Sequence, residues 1–229
     1  MDGDLVKTIG KLIERVERLL TRQKLSAPTQ RILIALAGVP GSGKTTLSDA
    51  LIKELEKNGI SDVAVLPMVS DQHILKSPTP SNTFVTDIQL LGWVSSYSHL
   101  SLFLPRPERS ISKTREPLII IKAPGFDHAK KDPIPNAIKI SSRAQVVIIE
   151  GNYVLLHQDP WSRISTLVDD KWFVDVPVDI ARERLASRHL RAGIETTTEA
   201  AIKRADENDI PNGEYIRSHL LEPNARIIN

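Results

Sequence analysis

Cysteine is absent from the 229-residue chain, which removes disulfides, thiolate nucleophiles and Cys-type zinc sites together. Aromatic residues are scarce. Three Trp and three Tyr are too few and too scattered to nominate a stacking platform. Charge of one sign is not in excess either: a formal net charge of +2 gives no reason of its own to expect nucleic acid or an acidic membrane as a partner. No apolar run approaches the length of a membrane span. The N-terminus carries Asp2 and Asp4 and lacks the apolar core of a secretory signal, while Glu14 and Glu17 are out of place in an acid-poor mitochondrial presequence. These absences predict a cytoplasmic protein with neither nucleic acid nor membrane among its partners. The length suits one domain with a substantial core, and nothing in the sequence sets an oligomeric state.

What the chain does have is concentrated in one stretch. Ile32 to Ala37 is a short apolar run that reads as a buried strand. Gly38-Val-Pro40-Gly41-Ser42-Gly43-Lys44-Thr45 is a complete G-x-x-x-x-G-K-T pattern, followed by Thr46 and a helix-forming stretch from Ser48 to Lys57. Strand, glycine-rich turn and helix in that order make a P-loop. Glycines let the backbone curl with its N–H groups inward, where side chains would collide with phosphate. The helix start adds partial positive charge. Lys44 would reach the β- and γ-phosphates and the Thr45 hydroxyl would ligand Mg²⁺. Gly38, Pro40, Gly41, Ser42, Gly43, Lys44, Thr45 and Thr46 are therefore the nucleotide-binding candidates.

The flanks alternate. Asp4 to Lys24 carries Leu5, Ile9, Leu12, Val16 and Leu19 on one stripe, an amphipathic helix that reads as packed on the domain's own sheet. Val63 to Leu66, Pro117 to Lys122, Ala144 to Glu150, Trp172 to Val176 and Ala225 to Ile228 read as strands, with a short one at Ala137 to Ile140. Trp161 to Val168, Asp179 to Arg191, Thr196 to Glu207 and Glu214 to Leu220 read as helices. A charged, Pro-broken loop is expected from Ala123 through Pro135, and a turn from Asn208 to Gly213. Strands alternating with helices predict an α/β fold with a mostly parallel sheet covered on both faces. Val69 to Glu116 sustains neither period and is the least readable part.

Three groups outside the P-loop carry candidate chemistry. Glu150 ends the apolar run Val147-Ile-Ile, so it sits at the carboxyl end of a central strand, beside the ligand crevice of a parallel sheet. There it could hold Mg²⁺ through water or orient an attacking hydroxyl; the alternative is a solvated strand end. Arg184, Arg188 and Arg191 share one helix face by their spacing. Arginines from a closing lid can stabilise charge on a transferring phosphoryl group, although a solvated basic face would have the same spacing. Asp127 and His128, with Lys130, Lys131 and Asp132, crowd a loop that could meet substrate or simply face water. A D-x-x-G switch and an N-K-x-D guanine reader are both missing, which counts against a GTP switch.

Further segments sharpen this. Ala123-Pro-Gly-Phe-Asp127-His128, Glu150-Gly-Asn152-Tyr153, Trp172-Phe-Val-Asp-Val, Arg188-His189-Leu-Arg-Ala-Gly193, Asn208-Asp209 and Asn212-Gly213 follow the P-loop in order. Together they resemble the uridine kinase, phosphoribulokinase and pantothenate kinase group of P-loop kinases, and within it the nucleoside/nucleotide kinase-like members that include fungal ATP-dependent kinases. The resemblance implies a P-loop three-layer sandwich with a short arginine-rich lid. It also implies transfer of the ATP γ-phosphate to a hydroxyl of a nucleoside, vitamin or sugar type of acceptor. By the same resemblance Thr45 and Glu150 would serve Mg²⁺, Arg184, Arg188 and Arg191 would lie on the lid, and Asp127 and His128 would touch substrate. Residues 1–25 would be the packed N-terminal helix and 26–229 the kinase domain.

One segment departs from the family. Where relatives place Asp-Gly-Phe-His after Pro-Met, with its aspartate as base, this chain reads Pro67-Met68-Val69-Ser70-Asp71-Gln72-His73. Asp71 is the nearest candidate base. The stretch from Val69 to about Ser112 reads as foreign to the family pattern, as a retained intron, a shifted frame or a splice variant would be; the whole atypical segment is 69–116. A kinase is thus the leading expectation, and the competing one is a nucleotide-binding protein with impaired or no catalysis.

Overall fold

The first strand, β1 (Ile32–Gly38), is buried along its whole length and occupies the middle of a five-stranded sheet in the computed structural model. The structure describes residues 3–28, 30–68, 120–127, 132–141 and 143–229. On one side β1 pairs with β5 (Val146–Glu150), and β5 with β2 (Val63–Pro67). On the other it pairs with β6 (Asp170–Asp175), and β6 with β7 (Ala225–Ile228). Every pairing is parallel.

Side chains alternate across a strand with period two, and here both faces are apolar. Ile32, Ile34 and Leu36 meet α1 (Gly3–Ser26) and α2 (Lys44–Lys57), which bury Ile9, Leu12, Val16, Leu20, Leu47, Leu51 and Leu55 against them. Leu33, Ala35 and Ala37 face the other layer. That layer contains the single turn α3 (Ser162–Ser165), then α4 (Val178–Arg191), α5 (Thr198–Arg204) and α6 (Ile210–Ser218). Coverage on both faces explains why β1 and β5 read as continuous apolar runs rather than alternating ones. The result is the three-layer α/β architecture expected from the alternation of elements. Among the described residues no helix is long and apolar enough to cross a membrane.

Three local expectations are corrected. The turn expected at Asn208–Gly213 is helical throughout: α5 runs into a π-helical turn, Ala205–Asp209, and then into α6. Pro211 lies in the first turn of α6, directly after the π turn. Gly213 sits against Val39, whose Cβ would be 3.5 Å from a Cβ at that position. The helix expected over Trp161–Val168 shrinks to α3.

The loop expected from Ala123 to Pro135 is instead strand on either side of residues 128–131. β3 (Ile120–Asp127) and β4 (Asp132–Ser141) form a separate antiparallel pair. Pro124, Pro133 and Pro135 are tolerated because both strands of a two-stranded ladder are edges. The pairing shifts register between Ala123 and Gly125, around Pro124. β4 runs beside β2 and inserts Ile140 into the core. The atypical segment 69–116 lies outside the described residues.

α1 is tied to the sheet by charge as well as by its apolar stripe. Arg15 donates from Nε and Nη2 to the two oxygens of Asp170, each at 2.9 Å. Trp172 Nε1 donates to the same carboxylate at 2.8 Å. The Asp170 side chain is 5% exposed, so removing Arg15 strands a buried charge. Arg15→Ala should lower the unfolding free energy by about 2 kcal/mol in urea titration. Arg15→Lys should recover only part of it, because an ammonium cannot make the two-pronged contact.

Candidate active site

The loop between β1 and α2 is held in shape by backbone that ordinary side chains resist. Gly41 and Gly43 have φ of +76° and +82°, the left-handed region where a Cβ is strained. Ser42 N donates to Val39 O at 3.2 Å and Leu47 N to Gly43 O at 2.9 Å. A Cβ on Gly41 would also stand 3.0 Å from the carbonyl oxygen of Ala181, so α4 is seated directly on the loop. Pro40 and Ser42 are buried in it, and Thr46 is exposed on the first turn of α2. The Ser42 hydroxyl has no partner among the described residues.

Lys44 folds back over the loop, donating to the carbonyls of Gly38 at 3.0 Å and Val39 at 3.1 Å. Burial pushes its pKa down to about 8; the Glu150 carboxylate opposes that shift and the Arg188 guanidinium adds to it.

Glu150 arrives by strand geometry. On β5, Val146 and Ile148 face the α2 layer, while Val147 and Ile149 face the other. Period two therefore turns Glu150 towards α2, and pairing sets it level with Leu36 of β1. Its carboxylate accepts from Thr45 Oγ1 at 2.6 Å and from Ser48 Oγ at 2.8 Å. It is 7% exposed. Sequence reasoning missed Ser48. The available signal was its spacing, three residues after Thr45 and so on the same helix face.

The arginines separate. Arg184 Nη1 reaches Gly41 O at 3.4 Å. Arg188 Nη2 lies 3.6 Å from Asp209 Oδ1. Arg191 ends α4 and is exposed. Two further pairs join segments far apart in sequence. Tyr153 donates to Asn212 Oδ1 at 2.7 Å, its phenol pushed up to about 12 chiefly by burial. His189 Nε2 meets Asp209 Oδ2 at 2.9 Å, both side chains buried. Asn229 donates to Ser42 O at 2.6 Å, another loop contact that the sequence did not announce. Asp127 is the last residue of β3, paired with Asp132. Asp71 and His128 lie outside the described residues.

This donor set suits a hard cation. Among the described residues no three His, Asp or Glu side chains converge. The site instead offers one buried carboxylate and the hydroxyl of Thr45, the sparse oxygen set with which Mg²⁺ keeps waters and phosphate oxygens as its other ligands.

The chain has clear relatives. A Schizosaccharomyces pombe protein named as a candidate uridine kinase is 35% identical over 226 residues, covering 97% of this chain and 91% of the relative. The ATP-dependent kinase-like protein notR' of Aspergillus versicolor is 42% identical over 117 residues, 49% of this chain and 68% of its own. A crystal structure from Silicibacter, titled as a candidate fructose transport system kinase, superposes with a TM-score of 0.65 at 26% identity, covering 94% of this chain and 98% of that one. No family model matches.

The lysine environment is directly measurable. In NMR of ¹³C-labelled lysine, Lys44 should titrate near pH 8 rather than near 10.5. Glu150→Gln should move that midpoint down, because the carboxylate favours the ammonium, and Arg188→Ala should move it up. A midpoint indistinguishable from the surface lysines refutes the buried placement.

Proposed function

The chain belongs to the uridine kinase-like P-loop kinases, and from that premise we propose that it transfers the γ-phosphate of ATP to a hydroxyl of a small molecule. One observation carries the reading: a buried carboxylate held by two hydroxyls near the start of the P-loop helix, beside the loop lysine.

The glycine-rich loop would cradle the ATP phosphates with its N–H groups. Lys44 would leave the Gly38 and Val39 carbonyls it bonds here and turn to the phosphates. Thr45 and Glu150 would hold Mg²⁺, directly or through water. Bound there, the ion would neutralise phosphate charge. Ser48 would fix the Glu150 carboxylate from the side away from Thr45. Arg184 and Arg188, on the helix seated over the loop, would add positive charge on the opposite flank, where charge on the transferring group develops. Proximity supplies much of the rate in such transfers, and a base for the acceptor hydroxyl supplies more. Asp71 is the candidate base. Asp127 and His128, at the end of β3 and just after it, are candidates for touching the acceptor. Nucleoside, vitamin and sugar hydroxyls are the classes to screen.

ADP release from Mg·ATP, measured with and without a panel of those acceptors, should depend on one acceptor. It should fall roughly 10²–10³-fold in Lys44→Ala. ATP binding with no acceptor-dependent release would overturn the kinase reading and leave a nucleotide-binding protein. Asp71→Asn should lose turnover while keeping ATP affinity; unchanged turnover removes Asp71 from the mechanism.

A further inference from the structure

On α4, Ala181, Arg184, Leu185 and Arg188 fall at i, i+3, i+4 and i+7, one stripe of the helix. Ala181 and Leu185 are the residues that meet Gly41, and Arg184 reaches its carbonyl. Arg188 therefore continues the loop-facing stripe, one turn further along. It is exposed and has a long, flexible side chain. Left to itself, it would sample many rotamers, and a guanidinium that must meet a phosphate would lose much of its advantage.

Among the described residues one group opposes that freedom. Asp209 is 3% exposed, and its two oxygens divide between neighbours on α4: Oδ2 meets His189 Nε2 at 2.9 Å and Oδ1 lies 3.6 Å from Arg188 Nη2. The backbone is specially arranged to bring it there. Asp209 closes the π-helical turn Ala205–Asp209, and each residue of an α-helix advances about 100° around the axis. An extra residue in the turn thus re-aims the side chain relative to an unbroken helix. π turns are uncommon and concentrate at functional positions. A buried acid–base pair is also a poor stabiliser, since its desolvation offsets its attraction. The arrangement is costly as packing and useful as a bracket.

We propose that Asp209 is a positioning residue, anchored by His189, that holds the Arg188 guanidinium over the P-loop for the phosphates of ATP. The inference rests on the phosphotransfer reading above, yet its test does not depend on turnover alone.

The test is a double-mutant cycle of Asp209→Asn and Arg188→Ala, read by calorimetry with Mg²⁺ and ATP and by ADP release. Arg188→Ala should weaken ATP binding about tenfold. Asp209→Asn keeps the size of the side chain and an oxygen for His189 but removes the charge; it should weaken ATP binding several-fold. In the Arg188→Ala background it should change nothing further, because it acts through that arginine. Asp209→Glu, which restores the charge, should recover part of the loss; should the asparagine variant not fold, Asp209→Ser, which also removes the charge, takes its place in the cycle. Turnover should follow the same pattern.

Equal losses in both backgrounds would assign Asp209 a structural role and overturn the proposal. So would wild-type affinity and turnover in Asp209→Asn. A wild-type protein that binds ATP without acceptor-dependent release defeats the kinase reading, while the affinity cycle still decides the role of Asp209.

Discussion

The Glu150 carboxylate, gripped by the hydroxyls of Thr45 and Ser48, joins the end of the sheet to the start of the P-loop helix. A buried charge of this kind is costly unless its lone pairs are filled. The two hydroxyls of one helix face fill one site on each oxygen, and they do so only if α2 begins where the glycines let it begin. The same contact therefore fixes three things: the register of β5 against β1, the rotation of α2 about its axis, and the position of an oxygen-rich corner beside Lys44. Loop, strand end and helix start are mutually constrained, which is what preorganisation means for a site that must meet a highly charged ligand.

The other flank is built from the opposite helical layer. α4 lies against the loop through Ala181 and Leu185, so its arginines arrive from the side away from Glu150. Negative and positive groups are thus separated across Lys44, and its lowered pKa registers both the burial and this opposition. Behind α4 stand two long-range pairs. His189 with Asp209 ties α4 to the π turn, and Tyr153 with Asn212 ties α6 to the segment that follows Glu150. These pairs explain why scattered polar residues late in the chain bear on a loop near its beginning.

Where sequence reading failed, the reason is physical. The prolines of residues 124–135 signalled a loop, because proline removes a ladder donor. They lie in a two-stranded pair whose strands are all edge, a sheet context that accepts them. Asn208 to Gly213 signalled a turn by composition. Tertiary packing overrode that signal, with Asp209 buried inside the helical layer and Gly213 pressed against Val39.

The sequence by itself determined the P-loop, the alternation of strands and helices, the strand-end position of Glu150 and the face shared by Arg184 and Arg188. Each of these is written within a single stretch of chain, as a glycine spacing, an apolar run or a helical period. Tertiary structure alone decided which residues meet. Ser48 finds Glu150 across 102 positions, Tyr153 finds Asn212 across 59, and Asn229 finds Ser42 across 187. Those contacts depend on sheet order, register and the extra residue of a π turn, none of which leaves a periodic trace in sequence. The chemistry of the loop is local and legible; the bracing that aims it is long-range and becomes visible only once the chain has folded.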